Sequence, residues 1–131
     1  MLTLMFCLRR KAGLDRAEFQ LYWREQHGPR MAARFRALGA LGYRQLHTLE
    51  GGLADAVAAS RGGPEPFDGI AEVWWTDRAA FQAATDAAAG RQAGQDLLAD
   101  EANFIDFAAS PIFLAETRFG LGDGRAAVTA P

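Results

Sequence analysis

Apolar and polar positions along the chain predict four short strands and several helices. Apolar runs of strand length predict buried strands, and apolar positions three or four residues apart predict helices. The strands are predicted at Leu2 to Leu8, Leu41 to Leu49, Phe67 to Trp75 and Ile112 to Phe119. The helices are predicted at Arg16 to about His27, Arg30 to Leu38, Thr76 or Asp77 to about Ala89, and Arg91 to about Ala102.

Local signals predict where these helices begin and end. Asp15 followed by Glu18 matches a capping box at the start of the first helix. Gly28-Pro29 predicts that this helix bends or ends at His27, among exposed carbonyl groups that favour a positive charge. Gly90 is predicted to interrupt the later helical region.

The resulting order, β-α-β-β-α-β, predicts an α+β fold of the ferredoxin-like type. Such a fold has a four-stranded antiparallel sheet with both helices on one face. The strands are apolar on both sides, so the second face needs a cover, and a second copy of the chain is the simplest one. This predicts a homodimer that forms an α/β barrel with an internal cavity. Residues 1–119 are predicted as one domain, residues 120–131 as a flexible tail, and Glu50 to Pro66 as a long connection containing a helical turn.

Composition narrows the classes of function. The chain has 131 residues, half of them hydrophobic, and a net charge of −2, which gives no reason to expect nucleic acid or an anionic membrane as a partner. Cys7 is the only cysteine, so neither an internal disulfide nor a cysteine-based zinc site is expected. The apolar start of the chain is too short to span a bilayer and lacks the order of a signal peptide, so a cytoplasmic location is expected.

The stretch EFQLYWREQHGP carries the strongest functional signal. Phe19, Trp23 and His27 recur every fourth residue and therefore share one face of a helix. Histidine changes its charge near neutral pH, so the pattern predicts an acid/base group beside an aromatic wall. The alternative is that His27 only caps the helix and bonds a backbone carbonyl.

Two strands contribute further candidates. Tyr43, Gln45 and His47 share one face of the second strand, and polar groups inside a barrel are costly unless water or a ligand fills the cavity. The alternatives are that this face is solvent-exposed and that Tyr43 is a packing ring with a wet tip. Glu72 lies on the face of Ile70 and Trp74, where burial would raise its pKa so that it orients a histidine or acts as a base. The alternative for Glu72 is an ion pair with an arginine across the dimer.

Cofactor motifs are absent from the sequence. It contains no G-x-G-x-x-G, P-loop or G-x-S-x-G pattern, so nucleotide binding and serine hydrolysis have no support. His27, His47 and Glu72 are residue types that can hold non-haem iron, but they come from three separate elements without a local ligand motif. We therefore expect no metal and no cofactor.

Three motifs together resemble the EthD family of the dimeric α/β-barrel superfamily. They are F-x-x-Y-W-x-x-x-H-G-P from Phe19 to Pro29, the run from Phe67 to Trp74, and the run from Ala99 to Asp106. The resemblance covers roughly Leu2 to Phe119. It implies a small apolar cavity with a few acid/base side chains and no bound cofactor, as in related polyketide cyclases and dehydratases, lactone isomerases and cofactor-free oxygenases.

These observations lead to one functional prediction with two alternatives. We expect a cofactor-independent dehydratase, cyclase or isomerase acting on a small aromatic or polyketide-like carbonyl compound. The predicted catalytic residues are His27, His47, Glu72 and Tyr43, and the predicted substrate contacts are Trp23, Tyr22, Phe19, Trp74, Asp100 and Glu101. The alternatives are a cofactor-free oxygenase of phenols or anthrones, and a non-catalytic accessory protein that binds a hydrophobic metabolite.

Overall fold

The computed structural model describes residues 1–122 and contains the predicted order of elements. The strands are β1 (Leu2–Leu8), β2 (Gly42–His47), β3 (Gly69–Trp75) and β4 (Ile112–Glu116). The helices are α1 (Arg16–Tyr22), α2 (Gly28–Arg34), α3 (Gly52–Ala59), α4 (Arg78–Asp86) and α5 (Ala88–Glu101), with a π-helical turn at Trp23–His27 and a 3₁₀ turn at Phe107–Ala109. The second strand ends two residues earlier than predicted, and the fourth strand ends three residues earlier.

The sheet has the order β2-β3-β1-β4, and every neighbouring pair is antiparallel. This confirms the predicted α+β, ferredoxin-like class. Leu4 lies opposite Val73 and Phe6 opposite Ala71, and these side chains face the helices. Since successive strand residues point to opposite faces, Met5 and its partner Glu72 face away from the helices.

The helical layer and the sheet enclose two clusters of buried side chains. The first contains Phe6, Leu8, Phe19, Trp23, Ala71, Phe104 and Ile105. The second contains Met31, Val73, Trp75 and Leu97. Leu4 and Tyr43 are half-buried and pack against both clusters. The core is therefore divided along the sheet, and the two clusters meet around these two residues.

The first helix does not end at His27, contrary to the prediction from Gly28-Pro29. His27 and Gly28 both keep right-handed helical backbone angles, and α2 continues directly from the π-helical turn. The Gly28 N–H donates to the carbonyl of Trp23, five residues earlier. Proline lacks an N–H, and its ring collides with the carbonyl four residues before it. The wider turn just before Pro29 absorbs this misfit, so His27 lies inside a longer helix.

Gly90 does not interrupt the helical region either. The break is at Ala87, whose extended backbone separates α4 from α5, and Gly90 lies in the first turn of α5. A β-carbon on Gly90 would collide with the backbone of Ala84, so the glycine is required by close approach of the two helices. The predicted cap of α4 is present as Asp77, whose side chain accepts from Ala80 N–H at 2.9 Å.

The motif Phe67-Asp68-Gly69 has a structural role. Buried Asp68 accepts hydrogen bonds from the Arg10 N–H at 2.8 Å and from Arg16 Nε at 2.9 Å. A β-carbon on Gly69 would collide with the ring of Trp23. The motif therefore joins the ends of β1 and β3 to the first helix and lets Trp23 lie against the sheet.

The sheet face that points away from the helices is less open than predicted. Thr3, Cys7, Glu72 and Trp74 on this face are each no more than 9% exposed. Local packing is one reason, because the Trp74 ring lies over Gly42, where there is no side chain to displace it. Exposed apolar side chains on this face are Leu46 and Phe113, nearer its edges. The homodimer and its barrel stay predictions.

Two further segments are the long connection between β2 and β3 and the predicted tail. The predicted helical turn in the long connection is present as α3, with Leu53 and Val57 exposed. Residues 120–122 of the predicted tail have no regular secondary structure, and residues 123–131 lie outside the described residues. Across residues 1–122, every helix is too short or too polar to cross a membrane.

Candidate active site

A cavity of about 400 Å³ lies between the helices and the sheet face that they cover. Its walls are mostly apolar, and the polar side chains on its lining are those of His27, Tyr43, Thr85 and Glu101. One chain forms this cavity by itself, and the cavity of a dimeric barrel stays a prediction. The alternate residues that face the helices, among them Ala71 and Val73, leave space beneath α5.

His27 is buried and held by a carboxylate from the other end of the chain. Its Nδ1 lies 2.7 Å from Oδ2 of Asp100, at the C-terminal end of α5, and both side chains are almost fully buried. An ionised carboxylate only accepts hydrogen bonds, so we assign the imidazole proton to Nδ1. Nε2 then carries a free electron pair and lies 3.8 Å from Oε2 of Glu101.

Asp100 is fixed by several partners besides His27. The Tyr22 hydroxyl donates to Oδ1 at 2.7 Å, Asn103 Nδ2 donates at 3.3 Å, and Arg30 Nη1 lies 3.6 Å away. Burial by itself raises the pKa of Asp100, but the hydrogen bonds from Tyr22, His27 and Asn103 outweigh it and lower the pKa overall. Asp100 is therefore ionised at neutral pH and orients the imidazole.

Burial lowers the pKa of His27 below its ordinary value, and the hydrogen bond and charge of Asp100 offset this only in part. The sequence predicted a different cause, namely a helix C-terminus that favours the charged form. That prediction fails because the helix continues through His27. The neutral imidazole is consequently the main form at pH 7, with a basic nitrogen available on Nε2.

Glu101 has the opposite shift. Burial, followed by the negative charge of neighbouring Asp100, raises the pKa of Glu101 to about 7. Its side chain is 20% exposed and lines the cavity. A carboxyl group that keeps its proton close to neutral pH can donate it to a ligand.

The raised pKa of Glu101 makes a testable prediction about stability. Between pH 4.5 and 7 the folded chain holds a proton on Glu101 that the unfolded chain releases, so stability falls as pH rises. Relative to Glu101→Gln, we expect the natural chain to lose about 1 kcal/mol of unfolding free energy per pH unit across this range. Urea unfolding from pH 5 to 8 measures the difference, and a difference that is constant with pH would contradict the shift.

Tyr43 and Trp23 form part of the cavity wall. Burial raises the pKa of Tyr43 to about 12, against the opposing effect of the nearby Gln45 and Trp23 side chains. Within residues 1–122, its hydroxyl makes no hydrogen bond of ordinary geometry. The hydroxyl therefore stays protonated at neutral pH and can donate to an oxygen atom of a ligand.

His47 does not reach the cavity. Its ring stacks on Trp23, with 4.5 Å between ring centres, and its Nε2 lies 2.7 Å from Oε1 of Gln45. Gln45 in turn donates to the carbonyl of Trp23 at 3.0 Å, the carbonyl that also receives the π-turn bond. Both polar residues support Trp23 from the side of β2.

Glu72 and Trp74 are also separate from the cavity, because they face the opposite side of the sheet. Glu72 pairs with Arg44 of the neighbouring strand, with Arg44 Nε 2.6 Å from Oε1. The arginine belongs to the same chain, which corrects the alternative of a pair across the dimer. Phe19 is fully buried beneath Trp23, and Tyr22 contacts Asp100. Of the predicted site residues, the structure thus brings His27, Tyr43, Trp23 and Glu101 to the cavity, with Asp100 and Tyr22 behind them.

The sequence analysis missed the link between His27 and the acidic pair, and also Arg30 and Asn103. One available signal was the position of Asp100 and Glu101 at a helix C-terminus, where negative charges are unfavourable and no basic residue lies in the last turn. Among residues 1–122, no three His, Cys, Asp or Glu side chains are grouped as a metal site requires. The absence of a cofactor stays a prediction.

The fold of this chain is similar to the folds of several solved structures. Similar solved structures include an EthD-like protein from Ralstonia eutropha JMP134 (21% identity, 93% of this chain and 96% of that one, TM-score 0.59). Others are an EthD family protein from Bacillus halodurans C-125 (15%, 90% and 100%, TM-score 0.57) and HapK from Hahella chejuensis (16%, 93% and 100%, TM-score 0.50). No curated protein sequence matches the chain. The model of the EthD domain matches residues 11–108, three quarters of the sequence, and the chain therefore belongs to the EthD domain family.

Proposed function

We propose that this chain is an enzyme for cofactor-independent proton transfer, of the dehydratase, cyclase or isomerase type, on a small apolar carbonyl compound. The observation that carries the proposal is a pair of proton-transfer groups on one apolar cavity. His27 has a lowered pKa and Glu101 has a pKa raised to about 7. Moving a proton from carbon to oxygen requires one group that accepts and one that donates at the same pH.

The proposed reaction starts with the α-carbon of the carbonyl compound beside Nε2 of His27. This nitrogen takes the α-proton, and the carboxylate of Asp100 stabilises the imidazolium at Nδ1. The electron pair of the broken C–H bond forms the C=C bond of an enol, while the carbonyl oxygen takes the proton of Glu101. Glu101 then takes back the enol proton as the C=O bond re-forms. The imidazolium of His27 gives its proton either to the γ-carbon of a β,γ-unsaturated compound, which isomerises it, or to a leaving β-hydroxyl, which departs as water.

The cavity walls support this chemistry in two ways. Apolar side chains exclude water, which strengthens the polar contacts between ligand and protein. The Tyr43 hydroxyl, which has no partner of ordinary geometry among the described residues, donates a hydrogen bond to the ligand oxygen. Trp23 provides a flat wall for an aromatic ring, held in place by His47 and Gln45.

Hydrogen–deuterium exchange tests the proposal without knowledge of the natural substrate. The purified chain is incubated in deuterated buffer with acetophenone, 1-tetralone or anthrone. NMR measures deuterium entering the α-position of the first two ketones and the C10 methylene of anthrone, whose proton is lost on conversion to the enol. We expect exchange above the buffer rate for at least one ketone. Oxygen uptake with anthrone would instead support the oxygenase alternative. Ligand binding with neither exchange nor oxygen uptake would support the accessory-protein alternative.

The pH dependence of this exchange is a further prediction. The rate should rise with pH as His27 loses its proton below its ordinary pKa of 6.5, and fall as Glu101 ionises near pH 7. We expect Glu101→Gln to lower the maximal rate and to remove the fall above pH 7. An alkaline limb that persists in this variant would show that another group is the acid.

A further inference from the structure

We propose that Gly94 sets the width of the cavity mouth and that the mouth admits neutral, apolar ketones of two or more fused rings. This inference rests on the proposed function, since it names the substrate class for the same cavity. Gly94 lies in the middle of α5 and lines the cavity, although it is exposed to solvent. Gly94 therefore lies where the cavity meets the solvent.

Exposure along the lining identifies the mouth. The lining residues that are exposed are Thr85, Gly94, Leu98 and Ile112, from α4, α5 and β4. Leu98 and Ile112 are 54% and 55% exposed, whereas His27 and Trp75 on the same lining are 4% exposed. The cavity therefore opens between α5 and β4 and has His27 in its depth.

Among residues 1–122, the rim of this mouth carries no charged side chain. Two of its four residues are large and apolar, Gly94 has no side chain, and Thr85 contributes only a hydroxyl and a methyl group. A charged ligand would lose hydration here without gaining a partner. A neutral ligand enters with its carbonyl group first, because the proton-transfer groups His27 and Glu101 lie further in.

The fold gives no steric reason for a glycine at position 94. A β-carbon there would meet nothing within 4 Å, and the backbone does not have a positive φ. Glycine inside a helix is destabilising relative to alanine, so a glycine at position 94 lowers the stability of the helix. Gly90 differs, because its β-carbon would collide with Ala84. The space at Gly94 is available to a ligand.

The helix also gives the length of the ligand. Gly94, Leu98 and Glu101 lie on the same face of α5, and seven residues of helix separate the first from the last. At the rise of an α-helix, that separation is about 10 Å. A ligand that reaches from Gly94 to the carboxyl group of Glu101 therefore needs more than one ring.

Binding of two ketones of different width tests this inference. Acetophenone has one ring and anthrone has three, and quenching of tryptophan fluorescence reports binding because Trp23 and Trp75 line the cavity. We expect Gly94→Leu to weaken anthrone binding at least tenfold and acetophenone binding less than twofold. Gly94→Ala should give a smaller loss for anthrone, and it also guards against a folding defect of the larger variant.

Ala99→Leu is the matched control, since Ala99 is exposed on α5 and does not line the cavity. It should leave the binding of both ketones unchanged. Unchanged anthrone binding in Gly94→Leu would overturn the inference, and so would failure of the natural chain to bind anthrone. Binding requires no turnover, so a chain that binds anthrone with the expected Gly94 effect but exchanges no ketone proton would contradict only the proposed function.

Discussion

Replacing His27 with alanine is expected to lower the rate of ketone proton exchange by about 10²- to 10⁴-fold, the usual contribution of a general base. The imidazole is the group whose basic nitrogen faces the cavity while its other nitrogen is held by Asp100 at 2.7 Å. The measurement is the initial rate of deuterium entry into the ketone that the natural chain exchanges fastest. Circular dichroism and thermal unfolding verify that the variant is folded.

The other histidine of the chain provides the matched control. His47 is partly buried, stacks on Trp23 and does not line the cavity. His47→Ala should therefore change the exchange rate by no more than several-fold, through a less firmly held Trp23. Equal losses in the two variants would mean that the assay reports general disturbance of the cavity. An unchanged rate in His27→Ala would remove the imidazole from the mechanism.

Replacing Phe19 with alanine is expected to lower the free energy of unfolding by about 3–5 kcal/mol. The Phe19 side chain is fully buried, and its ring centre lies 5.7 Å from that of Trp23 and 5.5 Å from that of Phe104. Loss of the ring leaves a cavity between the first helix and the segment after α5. Urea unfolding measures the change, provided that the unfolding free energy depends on urea concentration with the same slope in both proteins.

Phe119→Ala makes the same chemical change at a position that is 81% exposed. We expect this control to change the free energy of unfolding by less than about 0.5 kcal/mol. Similar losses in both variants would contradict the packing described for Phe19. Since small proteins are stable by only about 5–15 kcal/mol, the Phe19 variant is best studied at low temperature.

Periodicity accounts for most of what could be predicted from the sequence. The repeat of Phe19, Trp23 and His27 predicted one helix face, and all three side chains are buried. Alternation along the strands and the capping box at Asp15 and Glu18 likewise reflect local geometry that a sequence pattern carries directly. The ferredoxin-like class follows because the order of elements leaves few ways to form the sheet.

The features of the site that could not be predicted depend on pairs of residues far apart in the sequence or on small departures from ideal backbone geometry. His27 and Asp100 are 73 residues apart, and no pattern along the chain connects them. The face of a strand that meets the helices is not encoded in alternation alone, which is why Glu72 was grouped with His27. The cavity itself depends on side chains that are missing, such as that of Gly94, and empty space has no sequence signature.

The π-helical turn at Trp23–His27 has a consequence for how this protein can change in evolution. Removing one residue from the turn would restore regular helical spacing, and the Pro29 ring would then collide with the carbonyl four residues before it. Removing a residue between Trp23 and His27 would also change their spacing and shift the imidazole relative to Asp100. Gains and losses of single residues should therefore be rare in this helix among relatives that retain the chemistry, even where the connection between β2 and β3 varies freely in length.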